Sequence, residues 1–269
     1  MRPADPQAST AEAFSRKALV YDAFGEDHPN LARMRFRVRD HIRTLAPSGG
    51  QLLELNAGTG ADAAVLAASG FYVLATDISP GMLAQSRFKA AQPELEGRLD
   101  IRQLSFTDLA SLGDGPFDLV FSNMGGLNCI PDLRIVTREL HRLLKPGGFV
   151  VFVIMPRVCP WEWTALLHGD TRTAFRRLRS GGTLANVEGV PVPTFYFTAR
   201  QAEAAFGSGF VRTGLETLAL AAPPADRKNF AHRHPRLYRF LTALDSRIVK
   251  LPPFRGWGDF FMLTIQRAS

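Results

Sequence analysis

Cysteine is almost absent: the 269 residues contain two, Cys129 and Cys159, too few for a disulfide framework or a cysteine-rich metal site. No run reaches the roughly 18 consecutive apolar residues that suggest a membrane-spanning helix. His-Glu-x-x-His is missing, as is a glycine-rich phosphate loop ending in Gly-Lys-Ser/Thr, and no carboxylate and histidine cluster has ligand spacing, so no metal is expected. Residues 1–10 are polar and contain proline without an apolar signal core; they read as a loose tail on a cytoplasmic protein.

What remains is an ordinary globular composition, 46% hydrophobic, in a chain long enough for one domain with insertions. The formal charge is +7 and arginine dominates it. A basic total can serve nucleic acid or anionic lipid, so its distribution decides. Arg33, Arg35, Arg37, Arg39 and Arg43 share an expected helix with Leu31, Met34, Val38, Ile42 and Leu45, whose spacing marks the buried stripe. The arginines are then expected on a solvated face.

Leu52-Leu53-Glu54-Leu55-Asn56-Ala57-Gly58-Thr59-Gly60 passes from an apolar strand into a glycine turn, and residues 61–69 follow as a helix stopped at Gly70. Glycines at such a turn let the backbone approach a ligand closely. The next strand, 71–76, ends at Asp77, one βαβ step on, where a carboxylate can accept hydrogen bonds from a ribose. Ser79 and Pro80 then form an N-cap and first-turn pair for a helix reaching about residue 90. Further strands are expected at 99–104, 117–122, 149–154, 209–220 and 257–266, with a helix over 132–144.

Glu54 to Gly60, then Ala75-Thr76-Asp77-Ile78-Ser79-Pro80-Gly81-Met82-Leu83, then Phe117-Asp118-Leu119-Val120, then Leu143-Leu144-Lys145-Pro146-Gly147-Gly148 resemble the successive motifs of class I S-adenosylmethionine-dependent methyltransferases. The resemblance covers 31–155 well and 197–266 loosely. It implies a Rossmann-like α/β three-layer sandwich whose seven-stranded, mostly parallel sheet has the order 3-2-1-4-5-7-6 with an antiparallel last strand. It implies S-adenosylmethionine as cofactor, with Glu54, Asn56, Ala57, Gly58 and Gly60 along the methionine moiety, Asp77 on the ribose hydroxyls, and Ile78 and Met82 toward adenine. Adenine would also be read by Phe106, Thr107 or Asp108, because Ser105 fills the usual acidic place. Asn123 would join the cofactor site at the end of the fourth strand. Asn56 stands where the family loop has its first glycine, and asparagine is the side chain that best tolerates the left-handed backbone needed there.

The chain divides on this reading into 1–30, a tail and lid; 31–155, the cofactor-binding core; 156–198, an inserted cap; and 199–269, which completes the sheet and carries a basic helical insertion at about 221–256. Acceptor contacts are expected from Phe14 and Tyr21 in the lid, Asn128 beyond the fourth strand, and Trp161, Tyr196 and Phe197 in the cap. His168 is the first choice for a general base and Tyr21 the second. In the basic segment Asp226 and Asp245 are the acids, and Leu237, Phe240, Leu241, Leu244 and Ile248 form a stripe expected to pack on the domain, peripheral membrane contact being the alternative. Asn-Pro-Pro-Tyr-like signatures of nucleic-acid methyltransferases are missing after the fourth strand, which favours a small-molecule acceptor. The competing class is a non-catalytic binding module of the same fold that holds a protein or membrane. The oligomeric state is not legible.

Overall fold

The computed structural model describes residues 6–26, 28–225, 227 and 229–269, so residues 1–5 of the expected tail and Asp226 lie outside the described residues. Five parallel strands come first: β1 (Gln51–Leu55), β2 (Tyr72–Asp77), β3 (Leu99–Gln103), β4 (Phe117–Ser122) and β5 (Leu144–Ile154). β8 (Phe210–Leu218) and β9 (Phe260–Arg267) close the sheet, β9 running antiparallel to both β5 and β8. The order is β3-β2-β1-β4-β5-β9-β8. This is the expected 3-2-1-4-5-7-6 topology, renumbered because the inserted cap carries its own hairpin, β6 (Thr183–Val187) with β7 (Val190–Thr194).

Alternation along the strands divides the interior in two. Leu52, Phe121 and Val151 face one core with helices α2 (Pro29–Leu45) and α3 (Ala61–Ala68). Leu53, Val120 and Phe152 face the other, against α5 (Arg134–Leu143) and α8 (Ala199–Ala204). Both faces of the central strands are therefore covered, which residues 149–154 of β5 show as an unbroken apolar run. α4 (Pro80–Ala90) begins as its sequence suggests, with Pro80 in the first turn and the Ser79 hydroxyl accepting from the Met82 N–H at 3.3 Å.

Three expectations are corrected. The N-terminal segment is helical from Pro6: α1 (Pro6–Glu26) runs through the stretch read as a loose tail, held by packing against α4 and β7 rather than by an amphipathic pattern of its own. The α2 arginines do not form a solvated face. Arg33 pairs with Asp245 at 3.1 Å, Arg37 with Glu216 at 2.7 Å, and Arg35 and Arg39 both approach Asp62, at 3.8 and 3.4 Å. These acids arrive from α3, β8 and the basic segment, too far along the chain for helical periodicity to reveal them.

The third correction concerns the basic segment, which forms α9 (Phe230–Arg233) and α10 (Pro235–Ile248). Its apolar stripe does not pack wholly on the domain: Leu237 and Phe240 are exposed. The buried residue of α10 is Asp245, whose carboxylate accepts from the N–H groups of Leu220, Ala221 and Ala222. The cap adds α6 (Pro160–Trp163) and α7 (Thr171–Ala174) before the hairpin. Among the described residues no helix is long and apolar enough to cross a membrane.

Candidate cofactor and acceptor site

The loop after β1 turns through three left-handed residues, Asn56 (φ 50°), Gly58 (φ 59°) and Gly60 (φ 73°). Asn56 holds its strained backbone by using its amide on the neighbouring strand end: Oδ1 accepts from Ser122 Oγ at 2.6 Å and Nδ2 donates to the Asn123 carbonyl at 3.2 Å. A side chain at Gly126 would collide with that amide, so the β4 loop can lie against the turn only with glycine there. A Cβ at Gly60 would strike Ser86 of α4. At Gly58 the corresponding space is open, bounded by Met82 Sδ at 3.9 Å and Tyr21 Cε1 at 4.0 Å. Ala63 is fully buried where α3 packs on the sheet.

Asp77 ties this turn to the end of β2. One carboxylate oxygen accepts from the Gly58 N–H and the other from the Ser79 N–H, each at 2.8 Å. Burial pushes its pKa up, and the N–H groups of Ser79, Gly58 and Ile78 oppose that shift. Each oxygen keeps a further lone pair for a hydroxyl. Ala57 donates its N–H to the Thr76 carbonyl at 2.9 Å, and Ile78 accepts from Gln103 Nε2 at 3.3 Å, so the adjoining strand ends are cross-tied.

α1 straps this edge from one end to the other. Gln7 donates to Thr107 at 2.6 Å, Ser15 shares a hydrogen bond with Ser79 at 2.8 Å, and Asp22 accepts from Thr59 Oγ1 and from Lys89 Nζ, each at 2.5 Å. The helix approaches α4 so closely that a Cβ at Gly81 would lie 2.7 Å from the Ser15 carbonyl oxygen. Ala13 packs under Val190 and Val192, which brings the cap hairpin onto the same strap.

Below the turn lies a group that motif reading missed. Arg35, Arg39, Glu54 and Asp62 converge with Tyr21, whose ring centroid is 5.8 Å from the Arg35 guanidinium carbon. Burial pushes Glu54 well above the usual carboxylate range, Asp62 adds to the shift, and Arg35 opposes it. Burial works against the Arg35 charge, but Asp62, Tyr21 and Glu54 outweigh it and raise its pKa. Tyr21 is pushed above its ordinary value by burial, with Arg35 opposing. The phenol thus keeps its proton near neutrality. One or two arginines among five on an amphipathic helix carried no local signal of this arrangement.

The remaining expected residues separate into two sets. Near the adenine-side loop, Phe106 is partly buried against the second core, Thr107 bonds to Ser105 and Gln7, and Asp108 is exposed. Phe14 is half-buried on α1. Others are engaged inside the protein. Asn123 is buried, donating to Asp62 at 2.9 Å and accepting from the Met124 N–H at 2.8 Å. Asn128 is fully buried and clamps the cap: it donates to the carbonyls of Met155 and Phe195 and accepts from the Met155 N–H at 2.9 Å.

Phe197 lies in the second core. Trp161 donates to the Ala221 carbonyl at 3.2 Å and packs edge-on against Phe230, so it joins cap to basic segment. Tyr196 lies against Arg177 and shares a 3.3 Å hydrogen bond with Thr183. His168 is exposed at the end of a short 3₁₀ turn in the cap. Ala13 of α1, Cys129 of the loop after β4, and Val190 and Val192 of the hairpin pack together. Burial, with Asp77 adding, pushes the Cys129 thiol up to about 11.

These features define an α/β protein with a cofactor site at the C-terminal edge of a parallel sheet, where such sheets bind ligands. Residues 53–152 match the family model described as "Methyltransferase domain". A demethylmenaquinone methyltransferase from Clavibacter sepedonicus is 41% identical over 110 residues, 40% of this chain and 43% of that one. A malonyl-[acyl-carrier protein] O-methyltransferase from Serratia marcescens is 34% identical over 147 residues, 54% and 51% of the two chains. The chain thus spans about half the length of the curated relatives it matches. The fold is shared with an S-adenosylmethionine-dependent methyltransferase from Mesorhizobium loti (TM-score 0.54, 21% identity, 85% of this chain and 96% of that one).

Residues 53–152 are a methyltransferase domain of the class I S-adenosylmethionine-dependent family. The donor set fits that cofactor. Gly58 leaves an open cradle, Asp77 has lone pairs to spare for two ribose hydroxyls, and Arg35 offers a buried positive charge whose Nε has no hydrogen-bond partner. Among the described residues no three His, Cys, Asp or Glu side chains gather as a metal-holding group.

Proposed function

We propose that this chain transfers a methyl group from S-adenosylmethionine to a small organic acceptor of apolar or aromatic character. The observation that carries the reading is the meeting of Gly58, Asp77, Met82 and Tyr21 at one sheet edge beneath a strap helix. When bound, the cofactor supplies an electrophilic methyl on its sulfonium. Gly58 and Asp77 would fix the two halves of that molecule, and Ile78, Met82 and the 105–108 loop would flank its base. Orientation and exclusion of water then provide much of the rate.

The titratable groups around the cleft hold protons: Tyr21 and Cys129 are both pushed up. That favours an acceptor atom that is nucleophilic as it arrives, such as an activated carbon or an acidic hydroxyl, over one that needs a strong protein base. Relatives named for demethylmenaquinone and for malonyl-[acyl-carrier protein] support a transfer to metabolite-sized groups. Asn56 keeps the left-handed backbone needed where the family loop has its first glycine, which weakens the non-catalytic alternative. Incubation of the protein with methyl-labelled S-adenosylmethionine and cell extract should move label into a small organic fraction. Label found mainly in RNA or protein would overturn the assignment.

A further inference from the structure

α10 presents the first part of its apolar stripe to water. Leu237 is 46% and Phe240 64% exposed. Arg236, Phe240 and Arg247 recur at i, i+4 and i+11 and so share a face, with Leu237 and Leu244 one turn to either side of Phe240. The acid of this helix points the other way: Asp245 is fully buried on the N–H groups of Leu220, Ala221 and Ala222 and on Arg33. The outward face is therefore apolar and positive, with no carboxylate of its own helix to neutralise it.

This face stands beside the rim of the cleft. β8 runs parallel to β5, so its end at Leu218 lies on the same sheet edge as the glycine turn, and the segment follows from there. Trp161 on Phe230, with ring centroids 5.6 Å apart, and Arg227 donating to Thr164 at 3.4 Å join the segment to the cap.

We propose that the outward face of α10 docks on an anionic lipid bilayer. Charge complementarity selects that partner: guanidinium groups flank exposed leucine and phenylalanine, the pattern of helices that lie in a membrane interface. Leu237 and Phe240 enter the headgroup boundary, and Arg236, Arg239 and Arg247 meet lipid phosphates. The docking does not depend on the methyl-transfer reading.

The test is co-sedimentation of the full chain with vesicles of phosphatidylglycerol and phosphatidylcholine, against phosphatidylcholine alone. The protein should pellet with the anionic vesicles and lose that binding in high salt. Each cation near such a surface contributes about fivefold to partitioning, so the double variant Arg236→Glu and Arg247→Glu should bind at least about 25-fold more weakly. Leu237→Asp with Phe240→Asp should weaken binding by about tenfold or more. Both variants should keep the wild-type melting curve and cofactor affinity, which separates lost docking from lost folding. Equal pelleting with neutral vesicles, or unchanged binding by both variants, would overturn the proposal. So would light scattering that shows a dimer abolished by Phe240→Asp, because a second copy would then cover this face.

Discussion

Glu54 sits with Asp62 in a pocket where two arginines cannot fully offset two buried carboxyls, and its pKa rises well above the ordinary 4.5. The folded chain holds that proton where the unfolded chain has released it. Folding therefore takes up a proton in the window above 4.5, and the stabilising contribution is present below it and lost as pH rises through the folded value. Thermal melting of the wild type should show this decline as the pH rises above 4.5, and Glu54→Gln should flatten it. An identical pH profile in the variant would place the decline elsewhere. Both thiols are likewise held protonated, Cys129 and Cys159 each being pushed by burial up to about 11. A disulfide reagent at about pH 8 should titrate them slowly in the native protein and rapidly after unfolding; fast native reaction would contradict their protonated state.

Two elements close the site, and each has a specific fastening. α1 rests on α4 at Gly81, where even a Cβ would meet the Ser15 backbone at 2.7 Å. Gly81→Leu should lift the strap at a cost of about 1–3 kcal/mol of packing. Calorimetry should show cofactor affinity about tenfold weaker, and limited proteolysis should cut within α1 while the sheet domain persists. Unchanged affinity would remove α1 from the site. The cap is fastened by Arg177, which is buried and donates to Glu162 at 2.6 Å and to the Asp259 carbonyl and carboxylate at 3.0 and 3.2 Å. Arg177→Met removes the guanidinium from the buried Asp259 carboxylate, while Glu162 keeps Arg176, and should destabilise the chain by about 3–5 kcal/mol, read as a lower Tm; a shift within error would mean that solvent replaces the arginine.

At the scale of the whole molecule, the strands and the glycine turn were legible because their signals are local. The apolar run Val150 to Ile154 marks a covered strand, and the Ser79-Pro80 pair marks a helix start. Gly58 and Asp77 stand one βαβ unit apart and meet through a hydrogen bond, as their spacing leads one to expect. What stayed hidden depends on distant partners. Arg33 meets Asp245, Asn128 meets Phe195, and α1 is helical over its whole length because α4 and the hairpin cover it. Trp161 and Phe197 were expected as acceptor contacts, but aromatics in an insertion carry no mark of which side faces inward; Trp161 bonds to the Ala221 carbonyl and Phe197 lies in the second core. The central claim is that the turn at Gly58 and the carboxylate of Asp77 hold S-adenosylmethionine. Calorimetric titration of wild type and Asp77→Ala with S-adenosylhomocysteine tests it most directly. Stoichiometric binding in the micromolar range is predicted for the wild type, weakened by at least about tenfold in the variant with its fold retained; absence of binding by clean wild-type protein at millimolar ligand, or equal affinity in the two proteins, would contradict it.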